Sequence, residues 1–438
     1  MKIEYLFING YKNLNNIEMY LNDDSSVNSL IGNNGSGKSN ILEAITIIFE
    51  SALVNSKYVG FEFCIKYAID KNKIEINNIA GKLEFFKNSN KVLLKDIMSI
   101  MPKSIFLYYA GETKRLKQFS ENSSDKRFEK ILKKDDDIAL KFLTYLSVDD
   151  FGSSLLSNFI FQNDSYKKIS KLIDIQEVCA PIRINLHKPN WSKNGKPENF
   201  WNAIGTVAKE LSKLVENGKY TIIDNNNTQI LIDDIFKLRD EKIGAIGLFT
   251  VFKVLAQADI LENIDFDIVK EDKKFSYMNL SEGEKQLGQL LSILEITKEY
   301  KALFLLDEFD SYLHPNWQRE FVNIVNEIDI RGQVLFTTHS PLTLGKMKKE
   351  NILLLKDGII YNPSGETYNR DITEVLEEIM NVTKRPPEIE NMIRNFRNYI
   401  AHKDEKMANE GLEKLRMVLS EEDPFFVTAK VSLARLRR

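Results

Sequence analysis

Two stretches of this chain carry residue types that could do phosphate chemistry. Gly32-Asn33-Asn34-Gly35-Ser36-Gly37-Lys38-Ser39 has the spacing G-x-x-x-x-G-K-S, in which glycines let the backbone fold so that its N–H groups surround phosphates. The lysine of such a loop reaches β- and γ-phosphates, and the serine after it ligates Mg²⁺. In the second stretch, Leu303-Phe304-Leu305-Leu306 runs into Asp307-Glu308. Four apolar residues before two acids read as a buried parallel strand that delivers carboxylates to its carboxyl end, where open α/β sheets hold ligands. Acids at that depth are costly unless paired, so a cation is expected beside them.

Both stretches need elements to position them. Val27 to Ile31 is a short strand entering the glycine loop, and a helix begins at Ile41-Leu42-Glu43-Ala44-Ile45. This strand, loop and helix order is what the phosphate-binding reading requires. Ahead of it, Ile3, Tyr5 and Phe7 alternate with polar residues, a turn follows at Asn9-Gly10, and Ile17, Met19 and Leu21 alternate again. Residues 51–103 continue as strand-like runs (Phe61 to Ile65, Lys82 to Phe86) that complete an antiparallel sheet. Ile105 to Ala110 is another buried strand, ending at Gly111-Glu112-Thr113-Lys114-Arg115. Later, Leu280-Ser281-Glu282-Gly283-Glu284-Lys285-Gln286 opens a helix through Leu287, Leu290, Leu291 and Leu294, and a serine and glycine at a helix start form a second anion-binding tip. Gln333 to Thr337 is a strand leading into Thr338-His339-Ser340-Pro341, and Ile352–Leu355 with Gly358–Tyr361 ends the sheet.

The chain has 438 residues, too many for one hydrophobic core, and a net charge of −3 that neither demands nor excludes nucleic acid. Cys64 and Cys179 stand alone and read as packing residues. The N-terminus has no basic start before an apolar signal region. No apolar run approaches the roughly 18 residues of a membrane helix, so a soluble, cytoplasmic protein with no membrane partner is expected.

Residues 116–275 are harder to read. The spacing predicts helices over 138–143 and 203–214, without the sustained heptads of a coiled-coil arm. Trp191, Phe200 and Trp201, with Lys188, Lys193 and Lys196, read either as a stacking surface for single strands or, the favoured reading, as a satellite core. Lys126-Arg127 and Lys133-Lys134 alternate with acids as a solvated helix face. The tail shows helical periodicity over 372–383, 387–401, 405–419 and 424–436, with starts at Pro386-Pro387 and Asp423-Pro424.

The order of these motifs resembles the ABC-type ATPase head, over residues 1–119 and 276–361. The resemblance implies an α/β fold: an SMC-like P-loop head with an inserted, mainly helical domain and a C-terminal helical module. The implied boundaries are 1–119 for the N-lobe, 120–275 for the insertion, 276–365 for the C-lobe and 366–438 for a partner-docking module. It implies ATP and Mg²⁺ as cofactors. Asn33, Asn34, Gly35, Ser36, Gly37, Lys38, Ser39 and Asn40 would hold the nucleotide, and Ser39 and Asp307 the metal. Glu308 would orient or deprotonate the attacking water, His339 would contact the γ-phosphate, and Asp310 would belong to the loop that reads a partner subunit. Ser281, Gly283 and Glu284 resemble the signature that completes the nucleotide site of the opposite subunit, so that ATP glues two heads with two-fold symmetry. Heads of this kind often present a glutamine after the strand that here ends at Ala110. None stands there, and Glu112 and Gln118 are its candidate substitutes, or else ordinary turn residues.

The distance from loop to signature speaks against transporter subunits, and the missing heptads against long-armed SMC proteins. Asp307-Glu308-x-Asp310-x-x-Leu313-His314-Pro315 and Thr338-His339-Ser340-Pro341 resemble the compact SMC-like ATPases of bacterial anti-phage systems. The helical stretch after Ile360 lacks the acid cluster of the nuclease domain that OLD-family members carry. The signature, the Tyr108-Tyr109-Ala110-Gly111 strand end and the helical tail are most similar to the PtuA family of Septu and related retron systems. That resemblance implies an ATPase without its own nuclease, oligomeric beyond its head dimer, that controls a separate HNH endonuclease of the PtuB kind. DNA or a retron's RNA and msDNA are further partners it admits. The alternative is a DNA-clamping repair ATPase resembling RecF and OLD proteins, again without a nuclease; a third reading is a structural oligomer with a dead ATPase.

Overall fold

The computed structural model describes residues 1–22, 24–54, 59–111, 113, 115–123, 125–134, 137–162, 166–368 and 385–436. Two compact units emerge, residues 1–369 and 370–438.

In the first unit the chain opens with β1 (Lys2–Asn9), β2 (Ile17–Tyr20) and β3 (Val27–Gly32), followed by α1 (Lys38–Val54). Then come β4 (Glu62–Ile69), β5 (Asn72–Ile79), β6 (Lys82–Lys87), β7 (Asn90–Lys91) and β8 (Ile105–Tyr109). The middle holds α2 (Lys117–Asn122), α3 (Lys126–Lys133), β9 (Leu143–Tyr145), α4 (Phe151–Phe161), α5 (Tyr166–Leu172), β10 (Glu177–His187), α6 (Gly205–Glu216), β11 (Lys219–Ile222), β12 (Asn227–Ile232), α7 (Gly244–Gln257), β13 (Leu261–Lys270) and β14 (Lys273–Ser276). The unit closes with α8 (Glu282–Ile296), β15 (Leu303–Asp307), α9 (Pro315–Ile328), β16 (Gln333–Thr337), α10 (Pro341–Leu344), β17 (Ile352–Lys356) and β18 (Ile359–Tyr361).

The central sheet runs β18-β17-β3-β16-β15-β8-β9. All its neighbours pair in parallel except the edge strand β18. β15 and β16 are buried at every residue, which is why they read as unbroken apolar runs rather than alternating ones. Parallel pairing puts the carboxyl ends of β3, β8, β15 and β16 on one edge, and all the candidate site stretches but the signature leave from that edge. A second sheet, β2-β1-β4-β5-β6-β7, is antiparallel. Its inward residues Ile3, Leu6, Phe63, Ile65 and Ile76 share one core with Ile41, Ile45 and Phe49 of α1.

One expectation is corrected. Residues 138–143 form no helix. The Phe142 N–H is held by Asp125 at 3.0 Å, its carbonyl accepts from Ile105 at 2.8 Å, and Leu143 opens a strand pairing with Ile105. Completing the central sheet outweighs the local helical spacing. The region expected to be mainly helical also contains a five-stranded antiparallel sheet, β11-β12-β10-β13-β14. Its aromatics divide: Trp201 is fully buried with its indole N–H on the Asn225 carbonyl at 2.9 Å, whereas Trp191 is half exposed. Trp201 therefore belongs to a core and not to a stacking surface.

The inserted helices are not held apart from the head. Asn158 of α4 donates to the Ser292 carbonyl of α8 at 3.0 Å, and a Cβ at Gly288 would press within 2.5 Å of the Phe151 ring. Lys253 of α7 pairs with Asp150 and donates to the Tyr145 carbonyl of β9 at 2.8 Å.

The second unit consists, among its described residues, of α11 (Pro387–Ala401), α12 (Glu405–Arg416) and α13 (Pro424–Leu436). Ile393, Phe396, Leu412, Leu415, Phe425 and Phe426 make its core. Arg385 grips Asp423 with two bonds of 2.7 and 2.8 Å, and Asp423 also accepts from the Phe425 N–H as α13 begins. The helix expected over 372–383 lies outside the described residues.

Truncating one member of a buried ion pair strands the other. Lys253→Ala is therefore expected to lower unfolding free energy by about 3–5 kcal/mol in urea titrations, and Lys253→Met with Asp150→Leu to recover most of it.

Candidate functional site

The site is built at the carboxyl edge of the central sheet. β3 ends at Gly32, whose backbone crowds the Leu355 carbonyl so closely that a Cβ would sit 2.4 Å from it. The loop then needs left-handed backbone at Gly35 (φ 77°) and an open φ of 114° at Gly37, where a side chain would also strike Leu14 and Asn13. Only glycine meets both demands. Asn13, from the turn after β1, donates to the Gly35 and Ser36 carbonyls at 3.1 Å each and so braces the loop from outside. Inside it, the Lys38 ammonium donates to the Gly32 carbonyl at 2.8 Å and the Asn33 carbonyl at 3.2 Å. Burial lowers the Lys38 pKa, against the pull of Asp307 and Glu308.

Ser39, next on α1, donates to Oδ1 of Asp307 at 3.0 Å. Thr337, at the end of β16, donates to the same oxygen at 2.6 Å. Oδ2 of Asp307 is buried with no partner among the described residues. Burial raises the Asp307 pKa, outweighing the bonds from Thr337 and Ser39. Thr337 also accepts the Glu308 N–H at 2.8 Å, fixing Glu308 in the left-handed region at φ 51°. A non-glycine residue held there is strained, a feature that clusters at functional sites. His339 lies exposed at the rim. Desolvation and then the Lys38 charge hold its imidazole below the ordinary pKa, with Asp307 pulling the other way.

Thus Lys38, Ser39, Asp307, Glu308 and His339 converge. Asn40 bonds to Asn13 at 2.6 Å. The signature residues do not join them. Ser281 caps α8 through a reciprocal capping box with Glu284 and is exposed. A Cβ at Gly283 would meet the Tyr312 carbonyl at 2.7 Å, so the tip of α8 is seated against the turn after β15. Glu284 pairs with Lys270. The Asp310 carboxylate is buried and accepts from Thr338 and from Thr343 at 2.7 Å, so it pins that turn from within. Tyr312 in the same turn is exposed.

Three contributors were not foreseen: Asn13, Thr337 and Arg115. Arg115 follows β8 and bonds to Asn40 of α1 and to Glu43, a buried acid one turn further on. Glu43 also holds Lys12 and the Tyr11 hydroxyl. Position alone marked Arg115, since it sits just past a strand that leads to the site edge. Glu112 lies outside the described residues, and Gln118 is exposed on α2.

The residues present fit a nucleotide with Mg²⁺. A glycine loop at a helix start suits phosphate oxygens, and an unpartnered buried carboxylate oxygen near a serine hydroxyl suits a hard, oxygen-seeking cation. Bound there, Mg²⁺ would supply charge neutralisation at the phosphates. These parts define a class: a P-loop ATP-binding and ATP-hydrolysing protein on a mixed α/β fold that resembles the ABC-type head. A family profile described as "AAA domain, putative AbiEii toxin, Type IV TA system" matches residues 27–345, and the chain belongs to that family. It is 22% identical over 441 residues to the "Retron Vc95 probable ATPase" of Vibrio cholerae, covering 88% of this chain and 80% of that protein. It is 27% identical over 151 residues to the Septu protein PtuA of Bacillus thuringiensis, covering 32% of this chain and 38% of that one. It is 26% identical over 373 residues to the DNA replication and repair protein RecF of Clostridium botulinum, covering 75% of this chain and 91% of RecF. The protein is thereby linked to phage-defence and DNA-repair ATPases. Among the described residues no helix is long and apolar enough to cross a membrane.

The pH dependence follows from Asp307. An acid with a raised folded pKa destabilises the fold when ionised, and that penalty disappears as pH falls to the ordinary carboxylate value of about 4. An unpartnered neutral amide costs less than an unpartnered charge. Asp307→Asn is therefore expected to unfold at a higher temperature than the parent at pH 8 without nucleotide, with the gap closing toward pH 4. Mg²⁺ and ATP should no longer shift its melting curve.

Proposed function

We propose that this chain is the nucleotide-controlled subunit of an anti-phage defence complex, forming ATP-dependent head dimers that govern a separate HNH nuclease. The observation that carries this reading is the split in its site residues. Lys38, Ser39, Asp307 and Glu308 gather at one edge, while Ser281 at the capped tip of α8 is exposed and hydrogen-bonds to Glu284 of its own helix. A signature tip turned outward is what a second head would need to close over its partner's nucleotide, with two-fold symmetry. In this scheme Glu308 aligns or deprotonates the attacking water, and His339 contacts the γ-phosphate. Catalysis comes from positioning and charge neutralisation. The likeness to retron and Septu ATPases supports the defence setting. The three-helix second unit is the proposed docking module for the nuclease.

The likeness to RecF over 91% of that protein favours a second reading, a clamp that holds duplex DNA on its dimeric heads. The two are separated by tagged Glu308→Gln purified from its host with ATP. A fixed-ratio HNH protein supports the first. DNA without a protein partner, bound with a steep salt dependence, supports the second.

Two variants test the site itself. Lys38→Ala is expected to abolish ATP binding by calorimetry, and retained affinity would overturn the loop assignment. Ser281→Arg is expected to bind ATP normally yet stay monomeric by light scattering. Normal ATP-driven dimerisation of this variant would refute the shared-site scheme.

A further inference from the structure

We propose that Arg115 is the residue with which this site reads the γ-phosphate from the β8 side, a role resting on the nucleotide-site reading above. β8 pairs in parallel with β15, with Tyr109 opposite Asp307, and the next residue, Ala110, donates its N–H to the Asp307 carbonyl at 3.2 Å. Ala110 is therefore tied to the acidic end of β15, and Arg115 follows it by five residues, with Lys114 outside the described residues.

Its guanidinium is held, not free to wander. Nε bonds to Glu43 and Nη2 to Oδ1 of Asn40, the residue beside Ser39. Glu43 is almost fully buried, and Lys12 and the Tyr11 hydroxyl fix its other oxygen. Burial alone would raise the Glu43 pKa, but the bonds from Lys12 and Arg115 hold it below the ordinary carboxylate range, so the anchor stays charged.

A guanidinium has five N–H donors in a rigid fork. Two are used here, and Nη1 has no partner among the described residues. The side chain is one-third exposed. A planar cation with unused donors, bonded to Asn40 next to Ser39 in sequence, has the fork by which arginine takes phosphate oxygens. With Lys38, which lies within the charge field of Asp307 and Glu308, it adds positive charge on the side of the site where β15 delivers two acids.

A γ-phosphate contact distinguishes ATP from ADP, whereas a merely structural brace on α1 does not. The test measures ATP and ADP affinities by calorimetry, with Mg²⁺, in the full chain carrying Glu308→Gln. Adding Arg115→Ala is expected to weaken ATP by about 10- to 100-fold, the range of a charge-assisted hydrogen bond, and to leave ADP within about threefold. Arg115→Lys keeps charge without the fork and should fall between. Glu43→Gln, which loosens the anchor, should shift ATP affinity in the same direction by less. Equal losses for ATP and ADP, or unchanged ATP affinity in folded Arg115→Lys, would overturn the proposal. If the Glu308→Gln chain binds neither nucleotide, the nucleotide-site reading fails and this one with it.

Discussion

The structure turns on one buried carboxylate. Asp307 sits at the end of a strand with no exposed residue, and an ionised acid there is stable only if something in the fold faces it. Two hydroxyls do, Ser39 from α1 and Thr337 from β16, both on the same oxygen. That choice fixes a good deal else. It sets how far α1 stands from the sheet, and so where the glycine loop points. It leaves the other oxygen buried without a partner among the described residues. The raised pKa of Asp307 records that the protein alone does not fully compensate its charge. This is the usual condition of a site whose balance is completed by a ligand.

From Asp307 a hydrogen-bonded block extends toward the signature helix. Thr337 fixes the Glu308 backbone, and Asp310 ties the turn to Thr338 and Thr343. Gln318 of α9 bonds to the Asp310 carbonyl and to Ser340, beside His339. Gln286 of α8 donates to the Phe309 carbonyl, while Gly283 lets α8 approach Tyr312 closely. The strand end, the histidine loop and the tip of α8 are thus joined without a gap. A change in charge at Asp307 or Glu308 has a short physical route to the surface on which Ser281 lies. The contacts supply the connection, and two discrete states of the turn would make it a switch.

What the sequence made legible follows from locality. The glycine loop, the β15 run and the Ser281–Glu284 capping box are each contiguous, and each demands its residue types for a local reason. The five-stranded sheet was hidden because β10 pairs with β13 across some 80 residues, with register shifts at Cys179/Arg183 and Asn185/Leu186. Its strands do alternate, with Ile182, Ile184 and Leu186 of β10 and Ile264, Phe266 and Ile268 of β13 turned inward, but the pairing that joins them is not local. Residues 138–143 misled because their helical spacing is real, but Asp125 and Ile105 offer the same backbone better partners. Arg115 gave no pattern at all, since its meaning comes from Glu43 and Asn40, more than 70 residues earlier in the chain.

The same logic bears on what the insertion does. Had it been a separate body, its helices would meet one another and leave α8 to the head. Instead α4 packs on α8 through Asn158 and Phe151, Gln289 of α8 donates to the Ser147 carbonyl at the entrance to α4, and Lys253 reaches back to β9 at the head sheet's edge. One helix therefore presents its tip to the turn beside the acids and its flank to the insertion's core. Any rotation of α8 that follows nucleotide chemistry must be shared by both, because close-packed side chains do not yield independently. Through these contacts α8 and the inserted helices move as one packed body.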